Sequence, residues 1–228
     1  LFDTSSHKPR FEEQINDDIS WDDISQLKIK RFLSETKIKL DEIAPNKLLN
    51  SLHLARENKI NNAGVLFFAD NPRNFLLQCE MILVAFKGTN GVHIYDRIDV
   101  QDDLIMQFNE AMTFLKKHLN VRSEIRGVSR HDICEIPLEA LREAVVNAII
   151  HRDYSIRGTS LMVEVYDDRV VIKNPGGLLP GMSVNSLTQI SIRRNETIAD
   201  MFSRIDRAER IGSGIRRIME LMADADLA

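Results

Sequence analysis

Apolar residues recur at helical spacing through Leu138, Leu141, Val145, Ala148 and Ile149, which predicts a helix with one stripe turned to a core. Pro137 suits its first position, where the missing N–H has no intrahelical partner and φ is already near the helical value. Upstream, a looser helical pattern runs through Ile24, Leu27, Phe32, Leu33 and Ile38, and a second helix is expected from Pro45 with Leu48, Leu49, Leu52 and Leu54 as its apolar positions. The continuous apolar run Ala63 to Phe68, closed by Asp70-Asn71-Pro72, reads as a buried strand and a turn. Strands are expected over 80–86 and 93–100, the second alternating as Val92, Ile94, Asp96, Ile98 and Val100, with Gly88 and Gly91 marking the turn between them. A helix from Asp102 to Leu119 then packs Leu104, Ile105, Phe108, Ala111, Leu115 and Leu119 onto that sheet.

Beyond the Pro137 helix, Ser160 to Tyr166 and Arg169 to Lys173 form a hairpin around Asp167-Asp168. Leu178 to Ser191 reads as a loop, followed by helices over Thr197 to Ile205 and from Gly214 onward, the latter with Ile215, Ile218, Leu221 and Met222 as apolar positions. Leu1 to Ile19 is polar and reads as a connector, and Val121 to Glu135 as a charged link. The fold class is therefore α/β (α+β): a connector and helix over 1–45, an α/β module with a mixed sheet over 46–130, and a helix-on-sheet sandwich over 131–228.

Composition narrows the function. The 228 residues are 43% hydrophobic and 28% charged with a formal net charge of -4, which suits a packed globular chain and argues against a nucleic-acid surface over most of it. No run approaches the ~18 apolar residues of a membrane span. Cys79 and Cys134 stand far apart with no CxxC, as reduced thiols of a cytosolic protein do, and His131 with Cys134 falls short of a four-ligand zinc site. The chain opens on Leu1 rather than Met and reads as a piece of something longer.

The candidate chemistry lies downstream of residue 130. Glu143, Asn147 and His151 fall at i, i+4 and i+8 on a stripe turned well away from the apolar face of their helix. A carboxylate one turn from a carboxamide can orient and deprotonate a water while the amide oxygen ligates a hard cation such as Mg²⁺; the plain alternative is a solvated polar face. Asn174-Pro175-Gly176-Gly177 ends the hairpin, and its glycines let backbone approach a ligand without a Cβ between. Arg193-Arg194-Asn195 precedes a helix N-terminus, and Gly212-Ser213-Gly214 opens the last helix as successive free N–H groups that suit phosphate. A plain turn, a surface basic cluster and ordinary loop flexibility are the structural alternatives for these three.

In this order the motifs resemble a divergent GHKL (Bergerat-fold) ATPase, the superfamily of gyrase B, MutL, heat-shock chaperones and sensor histidine kinases. More narrowly, ALREAVVNAIIHRDYS, IKNPGGLLPG, RRNETIA and ERIGSGIRRI are similar to prokaryotic transcriptional regulators that join a Schlafen/AlbA-like domain to such an ATPase domain and are often labelled RecG-helicase-related. The resemblance implies a GHKL-type sandwich over 131–228, lacking its last strands, that binds ATP with Mg²⁺ and hydrolyses it slowly, with Glu143 activating water and Asn147 on the metal. It implies nucleotide contacts from Asn147, His151, Asp153, Asn174, Gly176, Gly177, Arg194, Asn195, Gly212, Ser213 and Gly214, and makes Leu178 to Ser191 the lid. Asn174 stands where the superfamily has Asp; its amide oxygen can still accept from an adenine amino group.

The resemblance also implies a cytoplasmic regulator that shifts between arrangements of two subunits, touches DNA through a domain outside this chain and has no membrane partner. A non-catalytic regulatory or dimerisation module with a degenerate nucleotide site is the alternative. His151-Arg152-Asp153 is not a kinase catalytic loop, since no GxGxxG precedes it, and no GxxxxGK[ST] supports a helicase motor.

Overall fold

The computed structural model describes residues 9–36, 44–126, 129–187, 192–207 and 214–227, with the side chains of all of these but 121–133. In chain order its elements are α1 (Gln26–Glu35), α2 (Pro45–Ser51), β1 (Ala55–Arg56), β2 (Lys59–Ile60), α3 (Asn62–Phe68), β3 (Met81–Lys87), β4 (His93–Val100) and α4 (Leu104–His118). They continue as β5 (Val121–Arg126), β6 (Ser129–Cys134), α5 (Leu138–His151), β7 (Leu161–Val165), β8 (Val170–Lys173), α6 (Glu196–Arg204) and α7 (Gly214–Asp224).

The main sheet has the order β4-β3-β7-β8. β3 pairs antiparallel with β4 and parallel with β7, and β7 pairs antiparallel with β8. Leu83 lies opposite Ile98 on one side and Val163 on the other, and Val163 opposite Ile172. These residues share one face, where α4 and α5 bury it to make a helix-on-sheet sandwich. Two strands of this sheet come from before residue 130 and two from after it, so both stretches build one core.

Several elements depart from the sequence reading. Ala63 to Phe68 is helical, not a strand, and every residue of α3 is buried. A short, wholly apolar run carries no periodicity that separates the two states. The cap decides it: the Asn61 side chain accepts from the Gly64 N–H at 2.9 Å while its own amide donates to the His53 carbonyl. Gly64 lets this helix sit close, since a Cβ there would lie 2.6 Å from the Leu54 carbonyl oxygen.

Val121 to Glu135 is a two-stranded hairpin rather than a link, registered from Val121 opposite Cys134 to Arg126 opposite Ser129. Pro137 caps α5 instead of opening it. α1 ends at Glu35, and Ile38 lies outside the described residues. Among the described residues no helix is long and apolar enough to cross a membrane.

Of the expected N-terminal connector, the described residues from Pro9 onward are also an integral part of the fold. Phe11 stacks on Tyr154 at 6.3 Å. Glu12, 0% exposed, accepts from the backbone N–H groups of Thr197 and Ile198 at 3.1 and 3.0 Å, so it caps α6 from 185 residues away. Burial pushes the Glu12 carboxyl up to about 7 from an ordinary 4.5, against those two N–H groups, which pull it down; Glu13 adds a smaller upward push.

A raised acid pKa makes the folded chain hold a proton that the unfolded chain releases between pH 4.5 and about 7. The Glu12 contribution is thus complete below pH 4.5 and is lost as pH rises through about 7. Relative to Glu12→Gln, the native chain should lose about 2 kcal/mol of unfolding free energy between pH 5 and 7.5, read from urea denaturation of both proteins. A pH-independent difference would contradict this account of Glu12.

Candidate functional site

The site forms at the C-terminal end of α5, where four backbone carbonyls lack intrahelical partners. Each finds one. Arg152 N–H donates to Ala148 at 3.0 Å, the Tyr154 hydroxyl to Ile149 at 3.0 Å, Asn195 Nδ2 to Ile150 at 2.7 Å and Arg194 Nε to His151 at 3.0 Å. Arg194 also reaches Asp153 Oδ2 at 3.1 Å and the Gly177 carbonyl at 2.5 Å. One guanidinium therefore joins the end of α5, the turn after it and the Asn174–Gly177 segment.

The backbone of that segment is fitted to the same place. Asp153 N–H donates to the Pro175 carbonyl at 3.0 Å. Gly176 has φ +103, and a Cβ on it would stand 2.7 Å from Asp153 Cβ, so only glycine closes this contact without strain.

A cavity of about 520 Å³ opens beside this junction, within the ~300–1,000 Å³ usual for small-molecule sites. Glu143, Asn147 and His151 line it from α5, Asn174 and Gly177 from the end of β8, Arg193 and Arg194 from the approach to α6, and Gly214 from the start of α7. Ile172, Leu178, Leu179, Met182, Leu187, Ile192, Ile215 and Ile218 form apolar wall. From the loop expected as a lid, Leu178, Leu179, Met182 and Leu187 border the cavity, with a 3₁₀ turn over Val184–Ser186, and residues 188–191 lie outside the described ones.

The row on α5 is not a solvated face. Glu143 is only 6% exposed because α7 packs across α5. A Cβ on Gly214 would lie 2.7 Å from Asn147 Nδ2 and closer still to the Glu143 carboxylate. Arg217 on α7 adds an ion pair to Glu139 at 3.2 Å. Among the described residues, Asn147 Nδ2 and Asn174 Oδ1 of the lining are buried without a hydrogen-bond partner. Leaving such an atom unpaired costs ~1–3 kcal/mol, which a ligand can recover. Burial, then the charges of Arg194 and Arg193, hold the His151 imidazole below its ordinary pKa, so it stands neutral in the site at neutral pH.

Of the residues expected from sequence, Glu143, Asn147, His151, Asn174, Gly177, Arg194 and Gly214 surround one cavity. Asp153, Gly176 and Asn195 brace its walls from behind, Asn195 with both amide bonds made to the Ile150 and Arg152 carbonyls and 3% exposure. Gly212 and Ser213 lie outside the described residues. Arg193, expected only as part of the basic Arg193-Arg194-Asn195 cluster, lines the same cavity, and Ile172, Ile192, Ile215 and Ile218 join its wall without having been expected there. The signal for the last two was there in their helical spacing.

Residues 158–228 match a family model described as "Putative ATP-dependent DNA helicase recG C-terminal", an ATPase-like, RecG-related family. That stretch contains the hairpin β7–β8, α6 and α7 but not α5. Among solved structures the chain is similar to the DIP2311 protein of Corynebacterium diphtheriae, with a TM-score of 0.78 and 20% identity over 96% of this chain and 44% of that one. The likeness is one of fold, and this chain spans less than half of that chain's length. No curated protein matches the chain.

The two adjacent glycines of Asn174–Gly177 should respond oppositely to a methyl group. Gly176→Ala combines a left-handed φ with the Asp153 contact and should destabilise by about 2–4 kcal/mol. Gly177→Ala, with nothing within 4 Å of the added carbon, should stay within about 0.5 kcal/mol of the native protein by chemical denaturation. Equal losses would show that the loop is not held as described.

Proposed function

We propose that this cavity binds a nucleoside triphosphate with Mg²⁺, ATP foremost, and that the chain is the nucleotide-responsive part of a transcriptional regulator of the GHKL type. The observation that carries the reading is a pair of buried atoms in one cavity that have no partner among the described residues: a donor at Asn147 beside the glycine that opens α7, and an acceptor at Asn174 at the end of β8. A nucleotide has matching parts. Phosphate oxygens accept from Asn147 and from the N–H groups of a helix start, and a base amino group donates to Asn174. Arg193 and Arg194 beside the cavity favour an anion there.

The donor set suits Mg²⁺ carried on phosphate rather than a resident metal. Among the described residues no three His, Cys, Asp or Glu side chains gather as a cage. Asn147 would supply one hard amide oxygen, as fits an ion that keeps most of its shell from phosphates and water. When bound, Mg²⁺ neutralises charge on the β- and γ-phosphates.

The chain's own groups then have distinct tasks. Glu143, shielded from bulk water by α7, orients and deprotonates the attacking water. Neutral His151 can donate to a phosphate oxygen from one ring nitrogen and take up a proton as negative charge arrives. The loop from Leu178 to Leu187 covers the base and excludes solvent. We assign DNA contact to regions outside this chain, which carries a net charge of -4, and the response to nucleotide to a change in how two subunits meet.

A second reading, a module that binds nucleotide without turning it over, is favoured by the closeness of Gly214 to both Glu143 and Asn147. Space for a water beside Glu143 then depends on a shift of α7.

Calorimetric titration with ATP and Mg²⁺ should give saturable one-site binding, and the absence of any heat or competition would end the proposal. Glu143→Gln should bind ATP within about threefold of the native protein but cut phosphate release by about 100-fold or more; a native protein with no turnover above this variant would leave only the second reading. The His151 imidazole, followed by NMR, should titrate below its ordinary value in the free chain and at higher pH once ATP is bound. An unchanged titration would remove His151 from phosphate contact.

A further inference from the structure

The end of β8 carries a carboxamide where adenine recognition by an acidic side chain would need only acceptors. Asn174 borders the cavity, and its Oδ1 is buried with no partner among the described residues. A carboxylate presents acceptors alone, whereas an amide presents one acceptor and one donor group side by side. Adenine offers a matching pair on its Watson–Crick edge, the 6-amino donor beside the N1 acceptor. Guanine offers the reverse, the O6 acceptor beside the N1–H donor. Asn174 meets the first with Oδ1 toward the amino group and Nδ2 toward N1, and meets the second after a half-turn of the amide. That terminal torsion is broad and roughly two-fold, so the exchange needs no new backbone position.

Arg194 stands beside the Asn174–Gly177 segment with its guanidinium engaged by the His151 and Gly177 carbonyls and by Asp153. The same cavity is lined by Ile172, Leu178, Met182, Ile215 and Ile218, apolar surface that can stack on any purine face. A two-ring base covers more of this wall than a pyrimidine does, and burial of apolar area sets the size preference. Discrimination between adenine and guanine normally comes from a fixed polar group left unpaired by the wrong base. An amide free to turn leaves neither unpaired.

Resting on the nucleotide reading above, we propose that this cavity takes 6-amino and 6-oxo purine nucleoside triphosphates alike, ATP and GTP, with Asn174 as the residue that reads both edges. The consequence is that the site senses total purine triphosphate rather than ATP alone.

Binding of ATP, GTP and UTP, each with Mg²⁺, to the purified chain decides this. ATP and GTP should fall within about 10-fold of each other, with UTP weaker than both by at least ~10-fold for its smaller ring. GTP weaker than ATP by more than that factor overturns the inference while the nucleotide reading stands; UTP binding as well as ATP also overturns it, since the base is then not read. Failure of all three to bind overturns both. Asn174→Leu, similar in shape but without hydrogen bonds, should weaken ATP and GTP together by about 10- to 100-fold. Loss of one purine alone, or of neither, counts against a shared role for Asn174.

Discussion

The end of α5 is the constraint on which the rest of the site depends. A helix terminus leaves four carbonyls that must be satisfied wherever water is excluded, and here three of the four acceptors are served by side chains: the Tyr154 hydroxyl, the Asn195 amide and the Arg194 guanidinium. Two of those side chains arrive from 43 and 45 residues later in the chain. Because a buried unpaired carbonyl is costly, the segment carrying Arg194 and Asn195 cannot drift from the helix without exposing them. The same Arg194 fork holds Asp153 and the Gly177 carbonyl, so the position of the loop after β8 follows from the position of the helix end. Cavity geometry is thus inherited from a helix cap.

The brace has a second storey. Asn195 stands at the N-cap position of α6, yet its amide is turned back to α5, which leaves the first N–H groups of α6 without their local cap. Glu12 takes that place from the other end of the chain, and the ion pair of Arg10 with Glu196 at 2.9 Å runs beside it. A carboxylate at a helix start gains from two N–H bonds and from the dipole, but burial opposes its charge. For Glu12 burial outweighs both, which is why its carboxyl titrates near neutrality instead of near 4.5. The wall of the cavity therefore rests on α5 at one end and on the N-terminal segment at the other.

Periodicity made α4, α5 and the β7–β8 hairpin legible in the sequence, because each has one buried and one polar face and long enough repeats to show it. The row Glu143, Asn147, His151 and the glycine motifs were legible for the same reason, as residue types at fixed intervals. What stayed hidden was anything decided by a partner distant in sequence. Ala63 to Phe68 is apolar on all sides and took its state from the Asn61 cap and the space beside Leu54. The charges of Val121 to Glu135 hid two strands, β5 and β6, that pair with each other. Glu12 looked like one acid among several in a polar stretch, and Asn195 like a phosphate ligand, until the helix ends they serve were in place. Spacing likewise put the α5 row on an open stripe, since nothing in it announced that α7 would lie across.

That covering helix bears on how much chemistry the site can do. α7 begins with a glycine at a point where a side chain would strike both Asn147 and Glu143, so close approach of its backbone to the row is built in by the absence of a Cβ. Close backbone brings N–H groups to where phosphate would sit, which favours binding. It also removes Glu143 from bulk water, which raises the energy of its charged form unless hydrogen bonds compensate, and narrows the space for a nucleophile. Under the proposed nucleotide reading, the same contact would strengthen a phosphate cradle and restrain hydrolysis. A chain whose role is to register nucleotide and hold a conformation, rather than to turn nucleotide over quickly, is served by that balance.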